Sequence, residues 1–224
     1  MAGWNLSMNL DWYEENNIPL EKSVGVDEVG RGSLAGPVMA ASVWLNSELV
    51  SKLEESGLEV RDSKKMTAPQ RKKVVDWIKS QPKETIRFAT ASATAEEIDD
   101  LNILKATLLA MKRSYDRLGI SVEYVLIDGN KAPAIPNTNV RAFVKGDDKV
   151  LSISLASIVI KEYRDNFMRK LALEYPDYRW ETNVGYGSAQ HMRAILEHGA
   201  TSYHRKTFAP IKNLKNMELP HVAD

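Results

Sequence analysis

A short apolar run, Val24 to Val26, ends directly in two acids, Asp27 and Glu28. A glycine-rich bend (Gly30, Gly32, Gly36, Pro37) and a second apolar run, Val38 to Leu45, follow. Runs of this length bounded by turn formers read as strands, and so tight a connection predicts an antiparallel pair. Pro69 to Ser80 carries Val74, Val75, Trp77 and Ile78 at helical spacing behind Thr67, a capping residue, and Trp77 on that stripe is expected in the core. Thr85 to Ala93 is rich in β-formers over its first half. Asn102 is placed to cap an amphipathic helix with the stripe Leu104, Leu108, Met111, Tyr115 and Leu118, ended by Gly119. A strand over Val122 to Ile127 stops at Asp128 and Gly129. A loop rich in Pro and Asn, Ala132 to Asn139, leads to a short strand over Val140 to Val144. Asp147 or Asp148 is then expected to open a long helix that Pro176 closes. Helices alternating with strands after an initial antiparallel set predict an α/β fold with one mixed sheet flanked by helices. Ser188 to Glu197 predicts a further helix outside that sheet. The expected organisation is a core over residues 1–178, with an N-terminal extension over 1–22, and a small C-terminal helical appendage over 179–224 packed on the core.

Composition narrows the chemistry. At 224 residues the chain has length for one compact domain with an appendage. It contains no cysteine, which excludes a disulfide framework, a zinc ribbon, a cysteine nucleophile and a thiolate-held iron cluster; any metal must be held by oxygen or nitrogen. Its longest apolar runs, Val38 to Leu45 and Ile153 to Ile160, are far short of the roughly 18 to 20 residues that span a bilayer, and the acidic N-terminus does not resemble a signal peptide. A cytoplasmic, monomeric protein with no membrane partner is expected. Lys and Arg, 30 in all, balance 30 Asp and Glu, but unevenly along the chain. Arg61 to Arg87 holds nine basic residues against Asp62, Asp76 and Glu84. His198 to Met217 has Arg205, Lys206, Lys212 and Lys215 with no acid, whereas the first 28 residues hold six acids against Lys22 alone. Such stretches read either as solvated helix faces or as patches that meet phosphates.

Asp27 and Glu28, Asp128 and Asp147 each stand where a strand or loop ends. Singly, such acids are turn formers or helix caps. Together, side chains from neighbouring strands can converge, and packed carboxylates repel one another unless cations sit between them. Hard divalent ions take such ligands, and two of them can activate a water and stabilise the leaving oxygen of a phosphodiester. The stretch from Gly30 to Gly36 invites a dinucleotide-binding reading, but its third glycine is one residue late for that fingerprint, Pro37 stands where the helix should start, and the two acids would face a pyrophosphate. The same glycines instead let a sugar or phosphate approach exposed backbone N–H groups beside the carboxylates. The four histidines, His191, His198, His204 and His221, have no ligand spacing, and His204 beside Arg205 is expected to stabilise the appendage rather than contact phosphate. Tyr186, between two glycines, is placed to stack on a sugar or base.

Ten blocks stand in a characteristic order: Val26 to Gly32 with Gly36-Pro37-Val38, Asp62 to Lys65, Asn102 to Thr107, Asp128-Gly129-Asn130, Lys145-Gly146-Asp147, Ala156-Ser157-Ile158, Arg164-Asp165, Gly185-Tyr186-Gly187 and His204-Arg205. In this the chain resembles the type 2 ribonuclease H family, and within it the bacterial ribonuclease HII branch, over roughly Val24 to Pro210. The resemblance implies a ribonuclease H-like fold and metal-dependent cleavage of RNA in RNA/DNA hybrids, including incision beside a single ribonucleotide embedded in duplex DNA. Matched position by position, Asp27, Glu28, Asp128 and Asp147 are the catalytic, metal-binding carboxylates, for Mg²⁺ or Mn²⁺ as two ions in the active complex. Gly30, Arg31 and Gly32 match the loop that reads the 2′-hydroxyl, Tyr186 the tyrosine that senses the RNA to DNA junction, and Lys64 and Lys65 a block that grips the substrate backbone. Val184 stands where lysine is expected before Gly-Tyr-Gly, and Leu155, Ile160 and Glu162 replace small or apolar residues of the long helix; these departures bear on substrate grip and helix packing. Two other readings share the fold: a nucleic-acid binding module that has lost catalysis, and a nucleotidyl-transferring recombinase. Retention of all the carboxylates argues against the first, and the ordered blocks beyond the core against the second.

Overall fold

Strands β1 (Ser23–Val29), β2 (Val38–Leu45), β3 (Ile86–Ala93), β4 (Tyr124–Asp128) and β5 (Asn139–Phe143) form one sheet in the order β3-β2-β1-β4-β5 in a computed structural model that describes residues 6–216. The expected hairpin is present: β1 and β2 are antiparallel with Asp27 opposite Ala41, and β2 continues antiparallel to β3. β4 and β5 add in parallel on the other side of β1, which makes the sheet mixed.

Side-chain alternation sends each strand's residues to two cores. Val24, Val26, Val38, Ala40, Val125 and Ile127 pack under helix α5 (Ile103–Leu118) through Ala106, Ala110, Met111, Tyr115 and Leu118. Ala41, Val43, Leu45 and Leu126 pack on the opposite face under α2 (Ser47–Ser56), α3 (Ala68–Ser80) and α6 (Leu151–Glu174). A side-chain carbon at Gly25 would run into the backbone of Ser152 and Ile153, so α6 lies directly on β1. A third cluster joins the end of α6 (Met168, Leu171, Ala172) to Trp180 of α7 (Trp180–Asn183), Ala194 and Ile195 of α8 (Ala189–His198), Ile211, and Leu34 and Ala35 of the glycine-rich loop. Among the described residues no helix is long and apolar enough to cross a membrane.

The local signals act as expected at α3, where Thr67 and Gln70 form a reciprocal capping box, and at α5, where Asn102 accepts from the N–H groups of Leu104 and Lys105 and Gly119 ends the helix. Three expectations need correction. Neither Asp147 nor Asp148 opens the long helix: both lie in a 3-10 turn, Gly146–Asp148, and α6 begins at Leu151 behind Val150 with no side-chain cap. Leu104 is 37% exposed, because the buried stripe of α5 runs through Ala106, Ala110 and Ser114 instead. Trp77 is only half-buried, packed against the core under α2, α3 and α6. Helices α1 (Leu6–Glu15), α2 and α4 (Ala95–Leu101) answer to no sequence expectation. The departures Leu155, Ile160 and Glu162 are all buried, since α6 is enclosed on every side over its first half. His221 and the side chain of Lys215 lie outside the described residues.

Candidate active site

The parallel register brings two acids together. Val26 lies opposite Ile127, so Asp27 and Asp128 follow paired residues on adjacent strands, on the face turned toward α6. Glu28 is next along β1. Beyond β5 the chain bends through Lys145, whose φ is 58°, into the turn that carries Asp147. The N–H of Gly146 donates to Asp128 Oδ1 at 2.8 Å, tying that turn to the end of β4, and the Ser154 hydroxyl of α6 donates to the carbonyl of Asp147. The structure thus gathers the acids predicted to form the site: Asp27 and Asp147 are 6% and 8% exposed, and Glu28 and Asp128 half-buried.

Burial first, and then the charges of Glu28 and Asp128, push the Asp27 carboxyl well above its usual range, against a hydrogen bond from Ser157 of α6 and one from the Glu28 N–H at 2.7 Å. Burial likewise raises Asp147, with Asp128 and Asp148 adding to it. Glu28 is raised by burial although Arg31 opposes the shift through its guanidinium, 3.3 Å from Oε1. The other oxygen, Glu28 Oε2, is buried and has no hydrogen-bond partner among the described residues. Buried, mutually repelling carboxylates with one orphaned oxygen are a donor set for a hard cation. As the side chains lie, no three acids or histidines among the described residues already close on one point, and Asp128 and Glu28 are each turned to a proton donor.

The expected substrate residues surround this cluster. Burial works against the charge of Lys64, yet Asp147, Asp27, Asp62 and Asp128 together hold its ammonium above the usual lysine range, which places it beside the carboxylates. Lys65 instead points outward and pairs with Asp62 at 3.4 Å. Gly30 to Gly32 follow Glu28 after Val29, and a carbon added at Gly32 would lie 3.8 Å from the ring of Tyr186, so loop and tyrosine face each other. That ring is 40% exposed. Val184, the departure two residues earlier, is half-buried against the third core with a φ of 42°.

Sequence reasoning missed the groups behind the site. Arg71 is not a surface cation: it is 6% exposed, donates to Asp165 Oδ2 at 3.0 Å and to the carbonyls of Ser63 and Met66, and faces Glu162 Oε2 at 3.9 Å. It holds the loop that presents Lys64, while the Ser63 hydroxyl meets that of Ser157, which lies beside Asp27. Arg164 and Arg205 are buried as well. His191 and His204 are buried against each other with Nε2 atoms 3.1 Å apart, within the third cluster rather than toward solvent phosphate. The blocks Arg164-Asp165 and His204-Arg205 are visible in the sequence; their burial is not.

The family model for ribonuclease HII matches residues 24–211. The chain is 48% identical over 190 residues to the ribonuclease HII of Pelagibacter ubique, covering 85% of this chain and 97% of that one. It is 46% identical over 187 residues to the ribonuclease HII of Bacteroides thetaiotaomicron, covering 82% and 88%. The solved structure of the ribonuclease H2 from Pyrococcus horikoshii superposes with a TM-score of 0.68 at 23% identity, covering 86% of this chain and 96% of the other. Mixed sheet, flanking helices and this structural match define an α/β protein of the ribonuclease H-like fold. Together with the close relatives they make it a ribonuclease H hydrolase. The chain belongs to the ribonuclease HII family.

Proposed function

We propose that the enzyme is an endonuclease that hydrolyses the RNA strand of RNA/DNA hybrids and incises duplex DNA at single embedded ribonucleotides, leaving 3′-hydroxyl and 5′-phosphate ends. The observation that carries this reading is that Asp27 and Asp128 end adjacent parallel strands beside Glu28 and Asp147, with Asp27 and Asp147 buried and Glu28 Oε2 without a hydrogen-bond partner among the described residues. Asp27, Glu28, Asp128 and Asp147 would hold Mg²⁺ or Mn²⁺, two ions in the active complex. Such ions supply an activated water and neutralise charge at the scissile phosphate and the leaving oxygen. The protein's own groups do the rest. Lys64 meets a substrate phosphate beside the carboxylates, and Lys65, at the surface, extends that grip along the backbone. Gly30, Arg31 and Gly32 offer backbone groups to the 2′-hydroxyl next to the acids, and Tyr186 stacks at the neighbouring deoxynucleotide. The segment from residue 179 serves as an appendage that carries Tyr186 onto the core.

The test is a duplex with one embedded ribonucleotide, incubated with and without divalent metal, beside the same duplex made entirely of DNA. Metal-dependent incision of the first alone is expected; equal cutting of both would make this a general nuclease. Tyr186→Ala is expected to lower incision at the single ribonucleotide more than it lowers binding, which turnover and equilibrium binding on the same duplex separate.

A further inference from the structure

Two guanidinium ions lie inside the molecule behind the glycine-rich loop. Arg164 and Arg205 are both fully buried, and their hydrogen bonds among the described residues go to carbonyl and hydroxyl oxygens, none to a carboxylate. Leaving buried cations without counter-charges is costly, and burial pushes Arg205 down to about 9 with Arg164 adding to the shift. An arrangement this expensive calls for a use.

The acceptors supply it. Arg205 donates to the carbonyls of Gly30 (2.6 Å), Arg31 (2.8 Å) and Gly36 (2.9 and 3.1 Å). Arg164 donates to Ser33 Oγ (2.8 Å) and to the carbonyls of Ala35 (3.2 Å), Pro37 (3.1 Å) and Val184 (2.9 Å). All but one belong to residues 30–37, and the exception begins the turn of Tyr186. With its carbonyls drawn inward, the loop leaves the N–H groups of Arg31 and Gly32 without an acceptor among the described residues. Gly30, at a φ of 91°, packs so closely on Arg164 that an added side-chain carbon would overlap the guanidinium nitrogen. The tyrosine turn is fixed to the same frame. The Gly185 carbonyl accepts from the N–H groups of Leu34 (2.8 Å) and Ala35 (3.2 Å), His191 Nδ1 donates to the Tyr186 carbonyl at 2.9 Å, and the Arg164 guanidinium sits 5.9 Å from the Tyr186 ring.

We propose that Arg164 and Arg205 are positioning residues for substrate choice, holding the loop that meets the ribose and the turn that carries Tyr186 as one rigid gauge. This rests on the function proposed above. A lone ribonucleotide must satisfy loop and ring in a single register, whereas an all-RNA strand offers a ribose in every register and tolerates a loosened gauge.

The experiment compares Arg164→Lys, Arg205→Lys and the milder Ser33→Ala with wild type in the full chain with Mg²⁺. It measures kcat and KM separately on a duplex with one embedded ribonucleotide and on a uniform RNA/DNA hybrid of the same sequence. Lysine keeps the charge but cannot make the divided contacts, so the ratio of kcat/KM between the two duplexes is expected to fall roughly tenfold against the single ribonucleotide. Ser33→Ala removes one acceptor of Arg164 and is expected to move the ratio by about threefold in the same direction. It also carries the test if the lysine variants do not fold. An unchanged ratio, with both duplexes losing activity in proportion, would show that the arginines only hold the fold together and would overturn the proposal. Wild-type enzyme that cuts neither duplex would remove the reading beneath it, a result distinct from an unchanged ratio.

Discussion

Asp27 is held in place against its own electrostatics. It is buried next to two other acids, and its charge destabilises the folded chain wherever no cation offsets it. Asp27→Asn is therefore expected to abolish cleavage yet raise the metal-free melting midpoint by a few degrees, a gain on the order of 1 kcal/mol. Added Mg²⁺ should raise the midpoint of the wild type more than that of the variant, which thermal melts with and without metal will show. His204 titrates with the opposite consequence. Burial, aided by His191, lowers it from 6.5 to about 4. Between those values the unfolded chain binds the proton and the folded one does not, so this contribution is complete above pH 6.5 and lost as the pH falls toward 4. Melting midpoints should drop between pH 7 and pH 4.5, and less steeply in His204→Asn; the raised acids work the other way, so the difference between the two proteins isolates the histidine part. The acids were legible in the sequence because a strand end is written locally as an apolar run that stops. The buried cations were not, because a charge count cannot tell Arg71 or Arg205 from a lysine in water.

Helices showed through the sequence where their ends are chemically marked. Thr67 with Gln70, and Asn102 with Gly119, bound α3 and α5. Comparable marks were available for α2, capped by Asn46 and ended by Gly57, and for α4, where Thr94 and Glu97 form a capping box, but these helices are only 10 and 7 residues long and bury few side chains. The start of α6 was hidden for the reverse reason: a helix enclosed on all sides has no polar face from which to read a period. Between α3 and α6, Arg71 is clamped by Asp165, and buried Glu162 Oε2 faces it at 3.9 Å without a hydrogen bond among the described residues. Arg71→Ala would leave Glu162 without its facing cation and Asp165 with Lys161 alone, 2.9 Å from Oδ1, and is expected to cost about 3 kcal/mol. Glu162→Leu, which removes an unsatisfied oxygen, should cost less than about 1.5 kcal/mol. Denaturant midpoints rank the two, and in Glu162→Leu turnover should be nearly kept because Asp165 still holds Arg71 and, through it, the loop of Lys64.

The sheet order is a property of the whole chain. No local pattern says that β4, which is separated from β1 by two strands and several helices, pairs with it in parallel; the ordered family blocks carried that information instead. Charge at this scale is also redistributed by folding. The protein is neutral overall, and Arg71 and Arg205 are withdrawn from the basic stretches, leaving Lys64, Lys65 and the remaining lysines to meet phosphate. Binding to duplex should still weaken with salt, with log K falling against log salt by about 0.9 per phosphate contact. A titration across salt concentrations checks this, and a flat response would leave those lysines as solvated helix faces. The contact of α6 with β1 at Gly25 has one more consequence, for how the protein tolerates mutation. The spacing between the strand that carries Asp27 and the helix that braces it depends on the absence of a single methyl group, at a buried position that no nucleic acid touches. A search for inactivating changes guided by substrate contacts would pass over position 25, while random mutagenesis would return it alongside the acids.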